Sequence, residues 1–221
     1  MISVIIPVLN EAKNIKNILI LLLDNPQIEI IVVDGGSEDK TVEIVEEMGV
    51  KVVSAERGRA KQMNLGASVA QGDILLFLHA DTQLPLGFEK LVIQALSQPQ
   101  IVAGAFSLKI ASKLWGIKLI EKMVNVRSQL FQLPYGDQAI FISQDWFQKV
   151  GGFPDLPIME DFELIVRLKK LGKIAIVSTP VITSARRWEK LGVWKTTLIN
   201  QQIIMAYFLG ISPQKIALWY K

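Results

Sequence analysis

The segment Gly-Asp-Ile-Leu-Leu-Phe-Leu-His-Ala-Asp-Thr, residues 72–82, holds the most informative pattern in the chain. Its apolar run at 74–78 has the length of a buried strand, and the polar residues His79 and Asp81 follow directly. Open α/β sheets bind ligands in the crevice at the carboxyl ends of their strands. We therefore expect Asp81 to face a ligand-binding crevice at a sheet edge.

Strand and helix patterns alternate on both sides of this segment. The sequence predicts strands at about 3–8, 29–33, 51–53 and 74–78, and helices at about 12–23, 40–48, 60–70 and 88–96. This order predicts an α/β fold with a mostly parallel central sheet that is covered by helices.

The second half of the chain is less regular. Its patterns predict strands at about 103–110, 139–142 and 173–177, and helices at about 111–133, 161–171, 191–209 and 213–220. No linker rich in proline or glycine divides the chain. We expect these elements to complete the first sheet within a single domain, residues 1–221, that ends in helices.

Composition excludes several classes of function. Half of the 221 residues are hydrophobic, which is enough for a sizeable core, and the net charge of +3 is too small to indicate nucleic-acid binding. The chain has no cysteine, which excludes a thiol nucleophile and fits a cytoplasmic location. The single histidine leaves little room for a Ser-His triad or a zinc site. We expect no signal peptide, and no apolar run reaches the roughly 18–20 residues that span a bilayer.

Polar residues also follow the first two predicted strands. Pro7 is expected to end the ladder of the first strand, and Asn10 or Glu11 to begin the helix after it. The second strand ends in Asp34-Gly35-Gly36. The two glycines allow the backbone to approach a ligand closely, and Asp34 offers oxygens to a ribose or a base edge.

Together these motifs resemble the family 2 inverting glycosyltransferases, which have the GT-A fold. Residues 3–11 and 32–41 are similar to the opening of that family, and His79-Ala80-Asp81 stands where the family carries its Asp-x-Asp metal motif. Gly151-Gly152-Phe153, followed by Glu160-Asp161, is similar to a later segment of the family. The resemblance runs in order over about residues 2–172. More narrowly, residues 58–64 and 76–82 are similar to a bacterial subgroup labelled as arsenosugar-biosynthesis or selenium-domain-associated glycosyltransferases.

The resemblance implies a donor, a cofactor and an acceptor. The donor is a nucleotide-diphosphate sugar, and the acceptor is a small molecule or a lipid-linked hydroxyl. A divalent cation, Mn²⁺ or Mg²⁺, neutralises the leaving diphosphate in such a reaction, and Asp81 is its expected ligand. His79 departs from the usual aspartate of the family. One interpretation is that His79 binds the metal. The other, which we favour, is that it lies beside the ribose or packs against its neighbours.

Further residues are expected on the donor side. Residues 1–100 are expected to form the donor-binding half, 101–190 the acceptor and catalytic half, and 191–221 the C-terminal helices. Arg59 begins a helix and is expected to contact the diphosphate or the base, with a solvated arginine as the alternative. Asn64, one turn further, is expected to contact the donor or to tie the helix to the first-strand loop.

An inverting transfer needs one base, which takes the proton of the acceptor hydroxyl. Glu160 and Asp161 are adjacent, so one carboxylate is expected to face the site while the other braces it. The family pattern assigns Asp161 as the base. Because acidic residues are also favoured at the start of a helix, a structural role for both is the alternative.

The acceptor side has weaker signals. Asp137 and Gln138 are candidates for lining the acceptor pocket, with a plain turn as the alternative. Arg187 and Trp188 match only the end of the Gln-x-x-Arg-Trp motif of processive relatives, and the glutamine position is not matched. Processivity is therefore not inferred.

Two segments mix basic residues and tryptophan with an apolar face. They are residues 113–133, with Trp115, and residues 186–209, with Trp188 and Trp194. This composition is typical of helices that lie at a membrane surface. Core packing and a homo-oligomer interface are the alternatives, and together these are favoured.

Two other functions are alternatives to a glycosyltransferase. A sugar-phosphate nucleotidyltransferase uses a related sheet but carries a glycine-rich, arginine-containing loop after its first strand, and residues 8–11 contain no glycine. A non-catalytic nucleotide-sugar-binding or membrane-docked protein of the same fold needs no base. The presence of both Asp81 and Asp161 therefore favours the enzyme.

Overall fold

A sheet of eight strands forms the centre of the computed structural model, which describes residues 1–219. The strands are β1 (Ile2–Val8), β2 (Ile28–Asp34), β3 (Lys51–Ser54), β4 (Ile74–Phe77), β5 (Thr82–Gln83), β6 (Ile101–Ala111), β7 (Phe141–Ser143) and β8 (Lys173–Ser184). Their order across the sheet is β3-β2-β1-β4-β7-β6-β8-β5.

Ten α-helices within residues 1–219 flank this sheet. They are α1 (Ile15–Leu23), α2 (Thr41–Glu47), α3 (Arg59–Val69), α4 (Phe88–Leu96), α5 (Ile117–Phe131), α6 (Gln144–Lys149), α7 (Glu160–Lys169), α8 (Arg186–Leu191), α9 (Val193–Phe208) and α10 (Pro213–Trp219). A short 3₁₀ helix lies at Gly136–Gln138.

The first four strands along the sheet are parallel. β1 pairs with β2 and with β4, and β2 pairs with β3. Ile5 and Ile31 in these strands are fully buried. Near-continuous apolar strands of this kind form where helices cover both faces of a parallel sheet. The carboxyl ends of β1, β2 and β4 consequently lie at one edge.

The second half of the sheet is mixed. β7 is antiparallel to both β4 and β6, whereas β6 and β8 are parallel. Four of the seven strand pairings are parallel. The predicted α/β fold with a mostly parallel sheet and flanking helices is therefore confirmed, with an antiparallel strand at its middle. The assignment of the two halves to donor and acceptor stays a prediction.

The core lies in two layers, one on each face of the sheet. Buried residues of α1, α2, α4 and α5 form one layer, and those of α3, α6 and α7 form the other. Gly66 lets α3 approach the sheet, because a Cβ there would lie 2.4 Å from Cγ2 of Ile5 and 3.0 Å from Cγ2 of Val33. This close contact places the N-terminal turn of α3 beside the ends of β1 and β2. A third cluster joins α7 to the C-terminal helices through Phe162, Ile203 and Ile216.

Several predicted boundaries were wrong, and glycine explains two of them. The helix predicted at 111–133 begins only at Ile117, because Ala111 ends β6 and Gly116 takes a positive φ of 90°. The helix predicted at 191–209 is α9, which begins only at Val193, because Gly192 takes a positive φ of 86°. Glycine adopts such φ values at little cost, and a helix does not continue through them.

The predicted starts of two other elements also need correction. Neither Asn10 nor Glu11 begins α1, which starts at Ile15 after Asn14. Asn10 instead has a positive φ of 56° within the loop after β1. The strand predicted at 173–177 continues to Ser184, because the pairing of β6 and β8 shifts register just before Pro180 and then resumes.

Four short elements were not predicted: β5, α6, α8 and the 3₁₀ helix. The helix predicted at 213–220 is α10 as far as Trp219, and its last predicted residue lies outside the described residues.

Candidate active site

The loops after β1 and β2 are tied to each other at the carboxyl edge of the sheet. Asp34 is buried, with 5% of its surface exposed, and accepts hydrogen bonds from the backbone N–H groups of Gly36 and Ser37. Ser37 Oγ accepts from the N–H of Asn10 at 2.9 Å, and Asn10 Oδ1 accepts from the N–H of Glu38 at 2.8 Å. These bonds give both loops a defined shape before any ligand arrives.

Gln62 holds the same two strand ends from the side of α3. It is buried, and its Nε2 donates to the carbonyl oxygens of Val8 and Val33, at 2.8 Å each. Pro7 lies within β1 opposite Val33, and the pairing with β2 continues to Val8 and Asp34, so the expectation that Pro7 ends the ladder was wrong on this side; with β4 the last pair is Ile5 with Phe77. Sequence reasoning missed Gln62, although a polar residue between the apolar positions Ala60 and Met63 of a helix was a usable signal.

Asp81 lies at the same edge and shares a cationic partner with Glu11. Arg186 Nη2 is 2.9 Å from Asp81 Oδ2 and 3.0 Å from Glu11 Oε1, and Nη1 is 3.2 Å from Glu11 Oε2. The side chains of Asp81 and Glu11 are 24% and 19% exposed. Sequence reasoning included Asp81 and Glu11 but missed Arg186, since the separation of 105 residues between Arg186 and Asp81 leaves no local pattern.

The donor set at this edge fits a hard divalent cation. Two carboxylates that already share one cation supply the oxygen ligands that Mg²⁺ and Mn²⁺ prefer. Within residues 1–219, no cluster of three or more histidine, aspartate or glutamate side chains is suited to hold a metal. Asp81 and Glu11 alone would leave most coordination positions of such an ion to other ligands.

His79 and Asp161 meet at the 3₁₀ helix. The N–H of Gly136 donates to Asp161 Oδ2 at 2.5 Å, and the N–H of Phe162 donates to Oδ1 at 2.7 Å. A Cβ on Gly136 would lie 2.9 Å from His79 Nε2 and 3.1 Å from Asp161 Oδ2, so both side chains border this glycine. Burial, and to a smaller extent the charge of Arg59, lower the pKa of His79 to about 3. The imidazole is consequently neutral at pH 7.

The adjacent carboxylates Glu160 and Asp161 point to different partners. Asp161 is held by backbone N–H groups beside His79, whereas Glu160 is 3% exposed and has its Oε1 3.4 Å from Nη1 of Arg59. Burial and the negative charge of Asp161 raise the pKa of Glu160, and Arg59 opposes that shift. The structure thus places Arg59 beside Glu160, where its guanidinium offsets part of the cost of a buried carboxylate.

The predicted acceptor residues occupy two different environments. Gln138 is fully buried: its Oε1 accepts from Ser128 Oγ at 2.8 Å, and its Nε2 donates to the carbonyl oxygen of Phe106 at 2.8 Å. Asp137 is partly buried, and within residues 1–219 its Oδ1 is a buried oxygen without a hydrogen-bond partner. Gln138 is thus placed as a tie between α5 and β6, and its acceptor-side role stays a prediction.

The remaining predicted site residues are Asn64, Arg187 and Trp188. Asn64 pairs with the backbone of Phe153, accepting from its N–H at 2.9 Å and donating to its carbonyl at 2.8 Å. It therefore ties α3 to the turn at 151–153 and not to the first-strand loop. Arg187 and Trp188 follow Arg186 on α8, and Trp188 packs against the core layer that contains α1. Donor or acceptor contacts of these residues stay predictions.

The parallel strands, the tied loops and the carboxylates at one sheet edge define an α/β fold with a candidate ligand-binding crevice at that edge. The chain belongs to glycosyltransferase family 2, since the family model described as Glycosyl transferase family 2 matches residues 3–147. The predicted family is therefore confirmed, whereas the narrower arsenosugar or selenium subgroup is not.

Curated relatives agree with this family. The chain is 27% identical over 225 residues to the probable glycosyltransferase YdaM of Bacillus subtilis (strain 168), which covers 87% of this chain and 52% of the relative. It is 24% identical over 229 residues to a PGL/p-HBAD biosynthesis glycosyltransferase of Mycobacterium bovis (strain BCG / Pasteur 1173P2), covering 96% of this chain and 87% of that protein. The chain thus spans about half the length of the Bacillus relative.

Solved structures share the fold. TarS 1–349 of S. aureus matches with a TM-score of 0.68 at 21% identity, covering 83% of this chain and 60% of that chain. Glucosyl-3-phosphoglycerate synthase of Mycobacterium tuberculosis, in complex with Mn²⁺, UDP and glucosyl-3-phosphoglycerate, matches with a TM-score of 0.68 at 20% identity, covering 96% and 80%. These likenesses confirm the GT-A type of fold.

The environment of Asp137 predicts a pH-dependent stability. Burial raises the pKa of Asp137 from 3.8 to about 6. The negative charges of Asp161 and Asp81 add to this shift, and the positive charge of Arg127 opposes it. A carboxyl that holds its proton more tightly when folded stabilises the fold at low pH and loses that contribution as pH rises through 6. Asp137→Asn is therefore expected to raise the melting temperature at pH 8 by about 2–6 °C, and by much less at pH 4.

Thermal unfolding of the wild type and of Asp137→Asn from pH 4 to pH 8 measures the difference in melting temperature. Asp24→Asn is the matched control, because Asp24 is an exposed residue at the end of α1. A lower melting temperature for Asp137→Asn at pH 8 would contradict the interpretation.

Proposed function

We propose that this protein is a metal-dependent, inverting glycosyltransferase that transfers a sugar from a nucleotide-diphosphate sugar to an acceptor hydroxyl. The observation that carries the proposal is a continuous set of contacts along one sheet edge. The loop of Asp34 is tied to the loop of Asn10 and Glu11, and Glu11 shares Arg186 with Asp81. His79, which stands two residues before Asp81, borders Gly136 together with Asp161, and this supports assigning both carboxylates to one site.

The donor binds, in this proposal, across the ends of β1, β2 and β4. Asp34 and the backbone of Gly35 face the nucleoside, and Pro7, Asn10 and Glu11 line its other side. Support comes from the preorganised loops and from the buried position of Asp34. Two solved neighbours point the same way, since TarS has been crystallised with UDP and the mannosyltransferase PcManGT of Pyrobaculum calidifontis with GDP-Man and Mn²⁺.

Asp81 holds the divalent cation, Mn²⁺ or Mg²⁺, in the proposed enzyme. When bound, the ion acts as a Lewis acid that stabilises the charge developing on the leaving diphosphate. Asp81 is three-quarters buried at a strand end, so its carboxylate has a fixed direction. His79 is neutral and borders Gly136, and we assign it to shaping the pocket beside Asp81.

Asp161 is the proposed general base. An inverting transfer breaks the bond between the sugar and the diphosphate while the acceptor oxygen attacks from the opposite face, so one base takes the hydroxyl proton. The backbone N–H groups of Gly136 and Phe162 fix the Asp161 carboxylate, which is the positioning that such a step requires. Glu160 faces Arg59 and is assigned to bracing the loop.

The acceptor side is proposed to lie near Asp137. Its buried Oδ1, unpaired among residues 1–219, is an acceptor atom that a substrate hydroxyl is suited to satisfy. Arg127 lies over the ring of Tyr135 at 3.5 Å and contributes a positive charge to this region.

An apolar surface with basic neighbours is proposed as a membrane contact on the cytoplasmic side. Trp115 and Trp194, from the loop before α5 and from α9, are 82% and 52% exposed and pack edge to face at 5.8 Å. The same helices expose further apolar side chains, which are Leu119, Met123, Leu130, Leu198, Met205 and Phe208. Lys113, Lys118, Lys122 and Lys195 lie in the same segments. This combination complements an anionic lipid surface. Among residues 1–219, no helix is long and apolar enough to cross a bilayer.

Donor binding is expected to depend on the cation and on Asp81. A ligand that binds only the folded state raises its melting temperature, so UDP-, GDP-, CDP- and dTDP-sugars are screened by thermal shift with and without Mn²⁺. At least one donor should stabilise the protein more in the presence of Mn²⁺, and Asp81→Asn should remove that increment. A Mn²⁺ increment that survives in Asp81→Asn would refute the assigned ligand.

Loss of the base is expected to slow turnover without weakening donor binding. Asp161→Asn keeps the shape of the side chain but cannot accept the proton, and loss of a general base costs about 10²–10⁴-fold in rate. Donor affinity should change little, because the lost interaction belongs to the transition state. Glu160→Gln is the matched comparison and should lower the turnover rate less. Near-normal turnover by Asp161→Asn beside an inactive Glu160→Gln would show that Glu160 is the base.

The protein is expected to bind anionic vesicles and not neutral ones. Co-sedimentation with phosphatidylserine-containing vesicles should be strong at low salt and should weaken as salt screens the lysines. Trp115→Ser, Trp194→Ser and their combination should reduce binding progressively. If no binding occurs at low salt and sedimentation analysis shows a dimer that the double variant abolishes, the surface is an interface between two copies.

A further inference from the structure

Arg186 holds the two carboxylates at the sheet edge together. Its guanidinium makes two contacts with Glu11, at 3.0 and 3.2 Å, and one with Asp81, at 2.9 Å. The pairing with Glu11, with a smaller contribution from Asp81, raises the pKa of Arg186, so the cation is fixed in its charged form. Arg186 is the first residue of α8, and half of its side-chain surface is exposed.

This geometry places a positive charge where the proposed cation would bind. A divalent ion that binds Asp81 needs its carboxylate oxygens, and Arg186 donates to Oδ2 of that group. Two positive charges within a few ångströms of each other repel, and they compete for the same lone pairs. Coordination of a cation through Oδ2 of Asp81 therefore requires Arg186 to move away from that oxygen.

We infer that Arg186 takes the place of the metal cation in the donor-free protein, and that cation binding at Asp81 releases α8 from the sheet edge. The inference rests on the proposed function, because it assumes a cation at Asp81. Arg186 is a positioning residue in this account: it keeps Glu11 and Asp81 together and compensates their charge until the ion arrives.

The backbone around α8 is suited to this movement. Ser184, the last residue of β8, donates its N–H to the carbonyl oxygen of Asp81 at 3.1 Å, which anchors the chain before Arg186. Gly192, with its positive φ of 86°, joins α8 to α9. This six-residue helix lies between a fixed strand end and a glycine, and a change in its direction would cost the hydrogen bond from Thr196 Oγ1 to the carbonyl oxygen of Arg187, at 3.3 Å, and part of the packing of Trp188. The released guanidinium then stays beside the donor site, where its charge is available to the diphosphate.

Mn²⁺ titration without donor tests the competition directly. Isothermal titration calorimetry is performed on the wild type, Arg186→Gln, Lys190→Gln and Asp81→Asn. Removing the competing guanidinium is expected to tighten Mn²⁺ binding about threefold or more at low salt. Lys190 is an exposed residue of the same helix, so Lys190→Gln changes the net charge equally without touching Asp81. It should shift the affinity much less.

A conservative variant separates competition from damage to the fold. Lysine carries a point charge that cannot engage two carboxylates through a planar fork, so Arg186→Lys is expected to give an intermediate Mn²⁺ affinity. Thermal unfolding of each variant shows that the protein is folded under the titration conditions.

Movement of α8 has its own readout. The chain contains no cysteine, so Glu189→Cys supplies a unique attachment point for an environment-sensitive fluorophore on α8. Mg²⁺, which does not quench fluorescence, is expected to change the emission of the labelled protein. The same label in the Arg186→Gln background should already show the altered emission, and Mg²⁺ should add little to it.

The outcomes separate this inference from the proposed function. Suppose that Mn²⁺ binding needs Asp81 but is no tighter in Arg186→Gln than in the wild type, or no tighter than in Lys190→Gln. The inference is then overturned, and the metal site stands. If none of the proteins binds Mn²⁺ without donor, the inference is overturned, and the metal site is overturned with it only if Mn²⁺ also adds nothing to donor binding in the thermal-shift experiment. A label on α8 that does not respond to Mg²⁺ in the wild type overturns the release of the helix.

Discussion

The parallel register of β1 with β2 and β4 is the constraint on which the rest of the site depends. It pairs Val8 with Asp34, so β1 and β2 end level with each other, whereas β4 ends at Phe77, opposite Ile5, and its loop starts further back in the sheet. The chain must turn away there, and it leaves polar residues of three loops within reach of one another. Gln62 reinforces the arrangement, because one buried amide nitrogen donates to the carbonyl oxygens of two of these strands. Breaking that tie would leave buried carbonyl groups unpaired, which is costly.

Four acidic residues at this edge have four different environments. Asp34 accepts from backbone N–H groups of its own loop, Asp81 shares a guanidinium, and Asp161 is held by N–H groups of Gly136 and Phe162. Asp137 has a buried oxygen without a partner in residues 1–219, and its pKa is raised to about 6. Identical chemical groups are separated by their surroundings, and the proposed division into a cation ligand, a base and an acceptor contact would need such a separation.

Site residues that follow a strand were predictable from the sequence, and contacts between residues far apart in the sequence were not. Asp34 and Asp81 come directly after apolar runs, so the periodicity that predicts the strand also places the carboxylate at its end. Arg186 reaches Glu11 over a separation of 175 residues, and only the folded sheet brings them together. Gln138 was predicted for the acceptor side from its position in a turn, yet its hydrogen bonds to Ser128 and Phe106 lie inside the protein. Only the first part of β8, at 173–177, was predicted; a proline is unusual inside a strand, and a register shift in the pairing with β6 accommodates Pro180.

The short helix α8 connects the proposed donor site to the proposed membrane surface. Arg186 at its start contacts the carboxylates, and Gly192 at its end leads into α9, which carries the exposed Trp194. A change in the pairing of Arg186 therefore acts on the segment that precedes this surface. In an enzyme whose acceptor is lipid-linked, such a connection would let cation and donor binding influence how the acceptor side meets the membrane. The direction of that coupling is reciprocal by thermodynamic necessity: if cation binding favours the released α8, and the released α8 favours vesicle binding, then vesicles must also tighten the binding of the cation.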